Sequence, residues 1–166
     1  LQLTFKNNEM LKAPTHCWRQ EQAELCLAAD WQAQTGWQGD VQLENYRINT
    51  AEAVTDNDNV RSLTGSLAFS LEARGTGNKL EHTRGRFNLN DVRLQADAET
   101  DLRIDSITAD LDGNSNDGLK LDLAGQFSDP APGKLNGRIE TGTLLFDSLT
   151  ATSLQGRLKA DIQNIK

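Results

Sequence analysis

Apolar and polar side chains alternate with a period of two from Gln38 to the end of the chain, the pattern of strands with one dry face. Leu119, Leu121, Leu123, Gly125 and Phe127 fall on one side, and Lys120, Asp122, Ala124 and Gln126 on the other. Leu63, Gly65, Leu67, Phe69 and Leu71 repeat the arrangement against Thr64, Ser66, Ala68 and Ser70. The same alternation predicts strands over 41–48, 84–96, 102–111, 134–140, 143–151 and 154–162. Clusters of Asp, Asn, Gly, Ser and Pro at 56–59, 75–78, 112–118 and 129–133 mark the turns between them. No stretch holds a 3.6-residue period, and the best helical fragment, 50–54, is too short to stand as a helix.

Inside these strands the apolar phase slips by one at a polar pair. The slip recurs four times: Val41 and Leu43 before Tyr46 and Ile48, Phe87 and Leu89 before Val92 and Leu94, Leu102 and Ile104 before Ile107 and Ala109, and Leu144 and Phe146 before Leu149 and Ala151. A spacing of three keeps both halves on one side if the pair is a two-residue hairpin loop or a bulge within a strand. Tight hairpins favour Asn-Gly or Asp-Gly, and none of these pairs is one, so bulges are expected for at least some. Unequal spacing of the copies makes this a loose repeat and not a fixed-length solenoid.

The dry face is mostly leucine, with little of the Val and Ile that usually lead in strands. Two readings fit. Leu and Phe suit contact with acyl chains, and they equally suit an ordinary sandwich interior, which is the commoner use.

Cys17 and Cys26 are the only cysteines. A chain that folds back at Glu21 and Gln22 sets them directly opposite, at a separation a disulfide can span. The register therefore favours a disulfide over two reduced thiols, and with it an oxidising compartment, the periplasm in a bacterium. A zinc site wants four ligands, and His16 is the only imidazole nearby.

Of the 166 residues, 17 are basic and 24 acidic, a net charge of −7. With no basic run, the electrostatic footprint for nucleic acid is missing. No apolar stretch approaches the ~18 residues that a membrane span needs. The first residues, Leu1, Leu3 and Phe5, already alternate. They predict a segment from inside a longer protein, with any export signal or anchor outside it. Catalytic constellations are thin: His16 and His82 are the only imidazoles, and neither a nucleophile elbow nor a phosphate-binding loop is present. No enzymatic role, cofactor or metal is expected. The run from Asp112 to Gly118 mimics a calcium loop, but its glycine comes one place late and Leu123 stands where a bidentate Glu is needed. A hairpin end is the simpler reading. Trp18, Trp31 and Trp37 read as packing around the disulfide, ahead of an aromatic rim for a ligand.

The stretch 13–31, with Cys17, eight intervening residues, Cys26 and Leu27, followed by 36–48 with Val41, Leu43, Tyr46 and Ile48, resembles the TamB family of translocation and assembly proteins. Leu63-Thr64-Gly65, Leu135-Asn136-Gly137 and Leu154-Gln155-Gly156 look like that family's β repeats. The resemblance implies an all-β fold, a curved, mostly antiparallel sheet forming a taco-like trough with an apolar interior. It implies a periplasmic protein of Gram-negative bacteria, anchored in the inner membrane, that passes phospholipid acyl chains towards the outer membrane. The alternative is a scaffold for outer-membrane protein and autotransporter assembly with the barrel TamA, through edge-strand pairing. On this reading residues 1–37 form an N-terminal β segment with the disulfide hairpin and 38–166 a repeated trough segment. The expected lipid-facing lining is Leu67, Phe69, Leu71, Phe87, Leu89, Val92, Leu94, Leu102, Ile104, Ile107, Leu119, Leu121, Leu123 and Phe127.

Overall fold

The computed structural model describes residues 4–6, 9–49, 62–95, 101–129, 132–145, 150–151 and 154–162. The helical fragment 50–54, the turn 56–59 and the pair Phe146 and Leu149 lie outside the described residues. What is described is all β, with no helix. Strands β1 (Thr4–Lys6), β2 (Met10–Gln20), β3 (Ala23–Gln32), β4 (Gly36–Asn49), β5 (Ser62–Thr76), β6 (Lys79–Gln95), β7 (Asp101–Asn114), β8 (Gly118–Asp129) and β9 (Gly133–Thr141) follow one another. Next come the short β10 (Leu144–Leu145) and β11 (Thr150–Ala151), and then β12 (Leu154–Ile162).

One open, ten-stranded sheet runs β1-β2-β3-β4-β5-β6-β7-β8-β9-β12, each strand antiparallel to its neighbours. β10 and β11 pair only with each other. β4 passes through residues 37 and 38, so the disulfide hairpin and the later strands belong to one sheet.

Three of the four phase slips are bulges. In β4 the pairing jumps from Leu43 to Tyr46 while β5 advances from Phe69 to Leu67, with Asn45 at φ 54° absorbing the extra residue. In β6 it passes from Leu89 to Val92, with Asp91 at φ 52°. In β7, Ile104 and Ile107 face Phe127 and Gly125 of β8, a three-residue step against two. Asn and Asp tolerate the left-handed conformation found at the first two, which explains their polar pairs. The polar pair of the fourth copy lies outside the described residues; on either side of it, Leu144 pairs antiparallel with Ala151 and Leu145 with Thr150. A further bulge, absent from the sequence reading, separates Ala13 from His16 in β2, where Pro14 fits because a bulge spares it a ladder bond.

Bulges bend a strand and increase its twist. The apolar side carries most of the glycines of the strands, Gly36 and Gly118 being on the other. An added Cβ at Gly85 would lie 3.1 Å from Leu71 Cδ1, and one at Gly65 would lie 2.9 Å from Val92 Cγ2. Neighbouring side chains therefore fold over these positions. Val92 is only 5% exposed and Leu80 7%, yet every pair of elements in substantial contact is a hydrogen-bonded neighbour in a sheet. A flat single layer could not cover valine so fully; a concave one can.

The rim at the β5–β6 and β7–β8 turns is stitched across successive hairpins. Trp37 Nε1 donates to the Gly77 carbonyl at 3.0 Å, Ser115 N–H to the Leu80 carbonyl at 2.8 Å, and Thr143 Oγ1 to the Asn116 carbonyl at 3.0 Å. The 112–118 run ends as the expected hairpin: Asn114 Oδ1 accepts from the N–H groups of Asn116 and Asp117, both at 2.8 Å.

Candidate functional site

Residues directly opposed on neighbouring antiparallel strands point to the same side of a sheet. Following the register from strand to strand therefore assigns every position to a face. One lateral row reads Leu27, Val41, Leu71, Gly85, Leu111, Leu121, Ile139 and Gly156. The next reads Leu25, Leu43, Phe69, Phe87, Ala109, Leu123 and Gly137. A third joins Tyr46, Leu67, Leu89, Ile107, Gly125 and Leu135, and a fourth joins Val92, Ile104, Phe127 and Gly133. Leu94 opposes Leu102, and Leu119 opposes Gly113.

All fourteen residues expected to line the trough thus share one face. The face is wider than that set. Leu25, Leu27, Val41, Leu43, Leu111, Leu135 and Ile139 belong to it, although the sequence-based lining omits them. Their signal was available, since Val41 and Leu43 carry the same alternation as the strands that were included.

Outside the bulges, no position on this face from β2 to β9 is Asp, Glu, Lys or Arg. Most of its side chains are half-buried, packed sideways against the next strand's residues. Leu71 and Phe87 remain 40% and 38% exposed. No side chain among the described residues is fully buried. An apolar depression of about 430 Å³ lies over Ala13, Ala29, Gly39 and Ala73, with Leu27, Val41 and Leu71 along it.

The charges are on the opposite face. Arg86, Asp110, Asp122 and Arg138 form one lateral row there. Arg86 Nε donates to Asp110 Oδ1 at 2.6 Å; Arg138 donates from Nε and from a terminal nitrogen to the two oxygens of Asp122, at 2.6 and 3.1 Å. The Arg138 hydrogen bonds hold the Asp122 carboxyl below its ordinary range, and the aspartates raise both guanidinium groups. These pairs are solvent-exposed, so each contributes little stability.

Cys17 and Cys26 are directly opposed and joined in a disulfide, with their Cα atoms 4.1 Å apart. The bond lies on the charged face, in the row that continues through Gln42 and Ser70. The Glu24 carboxylate lies within 4.8 Å of both sulfurs, but sulfurs bonded to each other offer no thiolate to a metal. The disulfide's position also corrects the reading of the tryptophans. Trp18 pairs with Leu25, and Trp31 pairs with Trp37, all on the apolar face. They do not pack around the disulfide, because neighbouring residues on a strand alternate sides and Trp18 follows Cys17.

A family model described as TamB, N-terminal domain, matches residues 1–166. No curated protein and no solved structure matches the chain.

Proposed function

Because the chain belongs to the TamB family, we propose that its apolar face is one stretch of a periplasmic trough along which phospholipid acyl chains pass between the inner and outer membranes. The observation that carries this reading is the uncovered face: rows of Leu, Ile and Phe eight strands wide, with no second layer over them among the described residues. A soluble surface rarely leaves more than a few hundred Å² of contiguous apolar area bare, so such a face needs an apolar occupant. Hydrocarbon tails meet that need. Each buried CH2 contributes ~0.8 kcal/mol, and with no directional contacts to break, a tail can slide from row to row. Lateral rows run across the strands, along the direction in which further strands extend the sheet. The full-length protein is anchored in the inner membrane on this reading, and the fourteen lining residues contact lipid.

The test is mass spectrometry of ligands extracted from the purified chain. Co-isolated phospholipid is the expected result; a chain that binds none, and takes up none from vesicles, removes the reading.

A second reading has its own support in the open edge. β12 ends the sheet among the described residues, and an unpaired edge is a template for another strand. In that case the chain assists assembly of outer-membrane proteins with TamA, and proline substitutions along β12 impair function more than charges on the apolar face.

A further inference from the structure

Trp18, Trp31, Trp37 and Tyr46 are all the tryptophan and tyrosine in the chain. The register sets all four on the apolar face within β2, β3 and β4. Trp18, Trp31 and Tyr46 are 44%, 39% and 45% exposed, and His16 meets Trp18 edge to face with ring centroids 4.5 Å apart. Beyond β4 the same face shows Leu, Ile, Val, Phe, small residues and Thr. The face therefore changes chemistry along the strand order, from rings with polar tips to plain hydrocarbon.

Tryptophan and tyrosine favour the zone between water and hydrocarbon, where the ring is dry and the N–H or O–H is wet. Charge narrows the choice of occupant. The patch itself bears no formal charge outside its bulge, while the chain carries −7. An anionic surface repels such a protein, whereas a zwitterionic one does not. We propose that the β2–β4 stretch of the apolar face docks on the headgroup zone of a zwitterionic phospholipid bilayer. This docking does not rest on the acyl-chain reading above.

Intrinsic tryptophan fluorescence reports on this patch alone, since all three tryptophans lie in it. With phosphatidylcholine vesicles the expected result is a blue shift, with stronger quenching by bromine placed near the headgroup than near the end of the acyl chain. No shift, or a shift only with phosphatidylglycerol vesicles, overturns the proposal. Trp18→Leu with Trp31→Leu keeps apolar bulk and so preserves the sheet, which circular dichroism checks. This double variant should lower vesicle partitioning about tenfold or more while keeping acyl-chain occupancy. Unchanged partitioning overturns docking. A chain that docks yet binds no acyl chain upholds the docking site and overturns the trough reading.

Discussion

Phe69 of β5 and Phe87 of β6 stand directly opposite each other in the middle of the apolar face, and Phe87 still shows 38% of its surface. Two phenylalanines paired at the centre of a sheet are normally capped by another layer. Here stability comes from sideways packing between strands, so a charge placed on this face disturbs the occupant more than the fold. Leu121→Asp should lower unfolding stability by about 1–2 kcal/mol, because the side chain is only half-buried. Capture of a photo-crosslinkable phospholipid should fall several-fold. Val92→Asp, at a position 5% exposed, should cost about 3 kcal/mol or more. Urea unfolding and crosslinking yield measure the two effects separately, and parental crosslinking by Leu121→Asp would remove that residue from the lining.

Glycines give a second contrast. A Cβ at Gly75 would collide with the Lys79 carbonyl oxygen and lie 2.7 Å from the Trp37 ring, whereas one at Gly77, with φ 57°, meets nothing within 4 Å. Gly77→Ala should therefore cost about 1–2 kcal/mol, the backbone penalty alone. Gly75→Ala should cost clearly more, because backbone must move and the Trp37–Gly77 hydrogen bond moves with it. Equal unfolding midpoints for the two variants would show that the stitched rim is not tightly held.

The fold was legible where a single rule applied. Cys17 and Cys26 pair because the chain reverses at Glu21 and Gln22, and the single-face alternation of Leu119 to Phe127 is that of β8. Sequence could not decide between bulge and hairpin at the polar pairs, since both return the next apolar residue to the same side. Asn45 and Asp91 became bulges because both flanking strands continue past them, a non-local fact. The tryptophans do not surround the disulfide, because neighbours along a strand alternate sides and closeness in sequence is not closeness in space. The expected lining residues of β5 to β8 share one face with Leu25, Leu27, Val41 and Leu43 of β3 and β4, Leu111 of β7, and Leu135 and Ile139 of β9, which carry the same alternation.

Asp122 should titrate below the ordinary aspartate range, since two Arg138 hydrogen bonds favour its charged form. A depressed carboxyl contributes stability that is present above the unfolded-state value and is lost as pH falls through the folded value. The β8–β9 tie should thus persist into mildly acidic solution and loosen only at lower pH. Carbon-detected NMR titration of the Asp122 carboxyl checks this directly. Arg138→Gln should move the midpoint upward; an unmoved midpoint would show that the pair does not form in solution.

The disulfide closes a short loop between strands at one end of the sheet, so its effect should be local. The chain-entropy account gives about 2–3 kcal/mol for a loop of this size. β3 is bonded to β4 on its other side and depends less on the link, whereas β2 has as its other neighbour, among the described residues, only the three-residue β1. Cys17→Ala with Cys26→Ala should therefore speed amide exchange in β2 by up to about a hundredfold, the kinetic equivalent of that free energy. Exchange in β6 to β8 should barely change, because those strands are held on both sides by long antiparallel partners. Fraying of β2 would also unseat Trp18 from its place opposite Leu25, so the same variant should weaken phosphatidylcholine docking without lowering acyl-chain capture at Leu121. Uniform acceleration across the whole sheet is the contrary outcome, and it would mean that the ten strands unfold as one unit.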